Sequence, residues 1–143
     1  MRALLTRLAF SCVVLSLAAA CGDTPTTPSG ATAFTQTDLT VGAGAAAVTG
    51  NTLTVNYTGW LYDGSKSDKK GLQFDTSIGR APFTFTLGTG QVIAGWDQGL
   101  VSLRVGGVRR LIVPPSLAYG AVRNGPIPPN ASLVFDIELT GVK

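Results

Sequence analysis

Histidine is absent from the 143 residues, and the only two cysteines, Cys12 and Cys21, both lie near the amino terminus. Without histidine, Ser-His-Asp and Cys-His activation of a nucleophile is excluded, as are most zinc sites. No metal or cofactor is expected. Beyond Cys21 no disulfide can form, so the fold must rest on its apolar core alone. An excess of charge of one sign is also missing. Lys and Arg number 11 against 8 Asp and Glu. Setting aside Arg2 and Arg7, which belong to a leader, the balance is 9 against 8, or +1. No nucleic-acid partner is expected from so even a surface. Charged residues are 13% of the chain and hydrophobic ones 45%, the reverse of a disordered composition. The longest apolar stretch, Leu8 to Ala20, is about 13 residues, short of the roughly 20 of a spanning helix. What is plentiful is glycine (18) and proline (8), which imply many turns and short strands.

Arg2 and Arg7 before an apolar core and a run of alanines make residues 1–20 a secretory signal peptide. Leu17-Ala18-Ala19-Ala20-Cys21 resembles a bacterial lipoprotein box, with Ala18 where a branched residue is usual. The resemblance implies cleavage before Cys21 and acylation of that residue, hence a membrane partner through lipidated Cys21. Gly22 stands where an inner-membrane retention signal would have Asp. The expected location is the bacterial cell envelope, anchored at a membrane facing the periplasm. Ordinary cleavage after Ala20, leaving a free thiol, is the alternative. Residues 21–32 (CGDTPTTPSGAT) are small, polar and punctuated by proline, and read as a flexible tether.

Residues 33–143 form one domain. Leu53, Val55, Tyr57, Gly59 and Leu61 alternate with Thr52, Thr54, Asn56, Thr58 and Trp60, the period of a half-buried strand. Phe83, Phe85 and Leu87 alternate likewise, as do Leu133, Phe135, Ile137 and Leu139, which leaves Asp136 and Glu138 facing solvent. Val108 to Val113 is a further strand, stopped by Pro114-Pro115, and a weaker one runs from Phe34 to Val41. Ile93, Trp96, Leu100 and Leu103 recur at three, four and three residues, one face of a helix of two or three turns. The fold class is α+β, an antiparallel sheet wrapped around one short helix.

Two motifs match by letters only. Gly42-Ala43-Gly44-Ala45-Ala46-Ala47 has the dinucleotide spacing, but Thr49-Gly50-Asn51 stops any helix that would carry a pyrophosphate. Asp63, Ser65 and Ser67 start like a calcium loop, yet Asp68 replaces the needed glycine and no Glu closes it. That stretch is a solvated surface loop.

Aromatic and branched residues crowd near the turns, and their order is specific. Val55-Asn-Tyr57-Thr-Gly59, Gln73-Phe74-Asp75-Thr-Ser77 and Pro82-Phe83-Thr-Phe85-Thr-Leu87-Gly88 come first. Gln91-Val92-Ile93-Ala-Gly95-Trp96-Asp97-Gln-Gly99 and Ala118-Tyr119-Gly120 follow, then Ile127-Pro128-Pro129 and Leu133-Val134-Phe135-Asp136-Ile137-Glu138-Leu139. Across residues 33 to 143 these blocks closely resemble the FKBP-type peptidyl-prolyl cis-trans isomerases.

The resemblance implies a strongly bent half-barrel sheet and a prolyl pocket between sheet and helix. Trp96 would be its floor. Tyr57, Phe83, Val92, Ile93 and Phe135 would line the walls, Phe74 and Ile127 the rim, with Phe85 in the same substrate-binding set. The catalytic set would be Asp75, Tyr57 and Tyr119. The Tyr119 hydroxyl and the Ile93 N–H would meet substrate carbonyls, and Asp75, bonded to the Tyr57 hydroxyl, would sit beside the twisting amide. Asp75 also reads as a turn residue satisfying backbone N–H groups. The Ile78-Gly79-Arg80-Ala81 stretch is shorter than in the family, which leaves open whether Arg80 pairs with Asp75. The Arg123-Asn124-Gly125-Pro126 loop before Ile127 is short as well, whereas the loop between Asp63 and Phe74 is longer than in the smallest members of the family.

The implied partners are proline-containing segments of folding proteins and macrolide inhibitors of the rapamycin type, with the chain acting as a monomer. Rotation about a prolyl bond breaks no bond, so the lack of histidine is no handicap. A non-catalytic proline-binding or chaperone module using the same groove is the competing function.

Overall fold

The computed structural model describes residues 32–143; the expected signal sequence, Cys21 and all of the expected tether but Thr32 lie outside them. Thr32 itself is tied to the domain, its Oγ1 donating to Ser132 Oγ at 2.9 Å.

Six strands make one antiparallel sheet: β1 (Thr35–Thr40), β2 (Thr52–Tyr62), β3 (Lys70–Thr76), β4 (Phe83–Thr86), β5 (Val108–Val113) and β6 (Leu133–Val142). Their order is β1-β5-β6-β2-β3, with β4 also paired to β2. Strands β4 and β3 share one edge of β2. The first pairs as far as Val55↔Phe83 and the second begins at Thr58↔Thr76. Between them residues 77–82 loop out.

Register follows the alternation. Val55 faces Leu139, Tyr57 faces Ile137, Gly59 faces Phe135 and Leu61 faces Leu133. All therefore share one face with Leu111 and Val113 of β5. That face is the core, where Leu53, Val55, Leu111, Leu133, Ile137 and Leu139 are fully buried. The burial of so many branched side chains, at about 1.5–3 kcal/mol each, is what holds a chain with no disulfide in its described part.

The helix α1 (Ala94–Gly99) lies across this face. It is shorter than the predicted two to three turns. Gly99 ends it, and Ser102 takes a left-handed φ of 70°, so Leu103 is buried from the following turn instead. Six residues cannot hold a helix by hydrogen bonds alone; close packing does. A Cβ on Gly95 would lie 2.5 Å from Val113 Cγ1, and one on Gly99 2.6 Å from Leu111 Cδ2. The helix end is fastened by Arg109 at an inward position of β5. Its Nη1 donates to the carbonyls of Gly99 and Val101 at 2.8 and 2.9 Å, and its Nε and Nη2 grip Asp38 of β1.

Three other expectations need correction. The stretch predicted as a loop up to Phe74 is strand β3 from Lys70 onward. Asp136 does not simply face solvent, since its half-buried carboxylate binds Arg110 Nε at 2.7 Å and Lys70 Nζ at 2.7 Å. Those partners hold it below the ordinary carboxylate range although burial opposes them. Val134, on the outer side of the alternation, is fully buried. The glycine-alanine run opens no helix, in keeping with the reading above: Ala46 bridges Arg104 in an extended segment.

Candidate active site

The alternating faces of β2 and β6 and the first turn of α1 converge on a cavity of about 170 Å³. Trp96, only 4% exposed, forms its base. The indole is edge-on to Tyr57 at 5.1 Å, to Phe135 at 5.3 Å and to Phe83 at 6.2 Å between ring centres. Such edge-to-face pairs add about 0.5–1.5 kcal/mol each beyond area burial, which fixes the rings and keeps the space between them open. Val92 and Ile93 wall the helix side, and Phe74 and Tyr119 close the remaining margin.

Phe74 and Asp75 both reach the cavity although they are neighbours on one strand. A register shift between Gly59↔Asp75 and Trp60↔Gln73 leaves Phe74 bulged, and a bulge re-aims a side chain. Phe74 then stands edge-on to Phe135, their centroids 5.7 Å apart. Gly59 makes room, since a Cβ there would meet Phe74 Cζ at 2.7 Å and Phe135 Cε1 at 2.9 Å.

Among the described residues Asp75 is the one acid lining the cavity. Its Oδ2 accepts from the Tyr57 hydroxyl at 2.5 Å, and its Oδ1 from Arg80 Nη2 and the Thr76 N–H, both at 2.8 Å. Arg80 is thus its partner, and Arg80 Nη2 also donates to the Thr76 carbonyl. Burial pushes Asp75 up, but these donors outweigh it and hold the carboxyl below the usual range. Burial, reinforced by the bond to Asp75, pushes the Tyr57 phenol up to about 12. Burial and the Asp75 charge raise Tyr119 as well.

The turn before the helix is clamped from two directions. Asp97 accepts from the N–H groups of Gly88 and Gly90 at 2.8 and 3.0 Å, and Gln91 Oε1 accepts from the Thr86 N–H at 2.8 Å. Gln91 also lines the cavity, a residue the sequence reading missed because it weighed only apolar and ionisable side chains.

Two residues of the expected substrate-binding set lie elsewhere. Phe85, 3% exposed, is stacked on Phe83 and tilted against Trp96, and does not line the cavity. Ile127, 4% exposed, is not on the rim. The tight turn in which Asn124 and Ile127 exchange backbone bonds of 3.0 and 2.9 Å turns its side chain into the core. The other nine residues of the catalytic and substrate-binding sets surround the one cavity.

A bent sheet is closed by a short helix over an aromatic well, and the one carboxylate of the well already accepts from three donors. The pattern of the FKBP-type peptidyl-prolyl cis-trans isomerases matches residues 44–140. An FK506-binding protein of Neisseria meningitidis serogroup B is 48% identical over 107 residues, covering 73% of this chain and 92% of that one. FK506-binding protein 1 of Gibberella zeae is 44% identical over 107 residues, 73% of this chain and 93% of its own. The crystal structure of AtFKBP13 superposes with a TM-score of 0.66 at 38% identity, over 77% of this chain and 93% of that one. The chain belongs to the FKBP family, and it is a peptidyl-prolyl cis-trans isomerase.

Proposed function

We propose that the chain accelerates X-Pro rotation in proteins folding outside the cytoplasm, with the Trp96 well as the catalytic pocket. The observation that carries this is the well itself: six aromatic side chains around an open volume, with one carboxylate beside it. An apolar cavity of about 150 Å³ admits benzene, so about 170 Å³ is ample for a pyrrolidine ring.

Resonance keeps the prolyl amide planar behind about 18–20 kcal/mol. In the planar state its oxygen is partly negative and its nitrogen partly positive; twisting abolishes that separation. The twisted state is therefore less polar and loses less than the planar one on leaving water. Seating the ring on Trp96 between Tyr57, Phe83 and Phe135 favours it by desolvation, while flanking hydrogen bonds hold the backbone in the twisted geometry. The Tyr119 hydroxyl and the Ile93 N–H serve as those donors. Asp75, held by Tyr57 and Arg80, supplies a fixed negative charge near the carbonyl carbon and takes no proton. A preference of about 6 kcal/mol for the twisted state would give roughly four decades in rate.

Its partners in this reading are proline-containing segments of folding chains, together with macrolides such as FK506 that the names of the relatives record. The leader and Cys21 support a reading in which it is lipid-anchored in the bacterial envelope, which the mass of the mature amino terminus would test. Cis/trans exchange of a Leu-Pro peptide, followed by NMR at micromolar protein, tests the pocket. Exchange well above the blank, lost with saturating macrolide, is expected. Exchange equal to the blank would leave a binding module.

A further inference from the structure

We propose that the gap between strands β4 and β3 is a second substrate subsite, which takes an acidic side chain of the proline-bearing segment with Arg80 as its counter-ion. The inference rests on the isomerase reading of the neighbouring well and names what that site prefers beside proline.

The gap is a groove of about 260 Å³ on the edge of β2, left where neither β4 nor β3 covers Asn56 and Tyr57. It shares Tyr57 and Phe83 with the prolyl well, so a chain seated in one continues into the other. Ser77, Arg80, Ala81 and Pro82 of the looped-out segment line it. Among the described residues no acidic side chain lines it.

Its polar groups are donors. The Arg80 side chain is 65% exposed and spends a single nitrogen, Nη2, on both Asp75 and the Thr76 carbonyl. A guanidinium carries five N–H groups, so its other edge is open to a second acceptor. Ser77 is 5% exposed, and its Oγ accepts from the Tyr57 N–H at 2.9 Å, which leaves its own proton to give away. A cation and a hydroxyl proton facing one groove match an acceptor-only group, and a carboxylate is the side chain of that kind. An ammonium group would be repelled. Pro82 and Phe83 offer apolar surface to the methylene stem.

The test compares peptide pairs that carry Glu or Gln at each of the three positions on either side of a central Leu-Pro. Both kcat/KM and binding are measured, the latter from the shift of the Arg80 Nε resonance. At one or two positions Glu should exceed Gln by about two- to fivefold, the range of an exposed ion pair, and the difference should shrink as salt is added. Ala81→Glu sets a carboxylate beside Arg80 without touching the well. It should abolish the preference, bringing the Glu/Gln ratio to one. Arg80→Gln should bring the Glu/Gln ratio to one, whatever it does to turnover. Ratios of one throughout in the parent, or a preference that survives both substitutions, would overturn the subsite and leave the isomerase intact. If no peptide is turned over, the isomerase reading fails separately, and the Glu-over-Gln difference in binding still decides the subsite.

Discussion

The Tyr57 hydroxyl donates to Oδ2 of Asp75 over 2.5 Å, and this short bond joins the middle of strand β2 to the bulge of β3. With Arg80 Nη2 and the Thr76 N–H on its other oxygen, the carboxylate accepts three charge-assisted bonds at the margin of the well. Such a group is a poor base and a stable charge. The same bond turns the Tyr57 ring edge-on to Trp96, so the electrostatics and the shape of the well depend on one contact.

Acid should therefore disable the enzyme late. The donors hold Asp75 below its ordinary value of 3.8, so its ionised arrangement is intact above that value and is lost as pH falls through a lower one. Turnover should stay flat down to about 3.8. Tyr57→Phe removes a donor and keeps the burial, which moves the acid limb to higher pH. On the alkaline side Tyr57 titrates only at about 12, so no loss from it is expected nearer neutrality. A pH profile of kcat/KM checks this; a parent that loses half its turnover well above 3.8 would contradict it.

Gly95→Ala should destabilise the domain although alanine is the better helix former. The propensity gain is about 1 kcal/mol. Against it, the new methyl would sit 2.5 Å from Val113 Cγ1 and 3.0 Å from its Cγ2, inside a packed core where overfilling costs about 1–3 kcal/mol. The net should be a loss of up to about 2 kcal/mol in urea unfolding. A gain would mean that helix and sheet separate more easily than their contacts suggest.

The same local geometry marks what the residue pattern could and could not reveal. Strands β2, β5 and β6 were readable because their inward positions, Leu53 to Leu61, Leu111 and Val113, and Leu133 to Leu139, keep a strict period of two. Strand β3 was not, because KGLQFDT carries two register shifts against β2 and exposes Leu72 while Phe74 is half-buried. A bulge destroys the alternation by which a strand is recognised. In the site, Trp96, Tyr57 and Asp75 followed from their blocks. The resemblance puts Phe85 and Ile127 in the substrate-binding set, and neither matching blocks nor apolar character distinguishes a wall from the layer behind it. Arg109 drew no notice, since its role depends on carbonyls of Gly99 and Val101 that only the fold brings near.

Arg109→Met should be among the most damaging changes outside the well. The side chain is 6% exposed and is the described partner of two carbonyls and of Asp38. Removing it leaves those groups unpaired beside a full core, a loss of about 3–5 kcal/mol. Asp38→Asn keeps an oxygen beside the guanidinium but takes away its counter-ion, and should cost less, about 1.5–3 kcal/mol. Urea titrations of both variants measure the difference, and equal small losses would mean that water replaces the guanidinium freely.

Asp97 touches no part of the well, yet Asp97→Asn should alter substrate binding. Its two carboxylate oxygens each accept one N–H of the turn at Gly88 and Gly90, where φ is +83° and +75°. An amide offers one oxygen, and its NH2 would face the other N–H as a second donor, so one bond is lost outright. The turn leads directly into Gln91, Val92 and Ile93, three residues of the wall. Loosening it should raise KM severalfold while kcat changes little, because Trp96, Tyr57 and Asp75 are held from other elements. Amide exchange at Gly88 and Gly90 should quicken in the same variant. If kcat falls instead and exchange at the two glycines is unchanged, Asp97 acts through the helix and not through the turn.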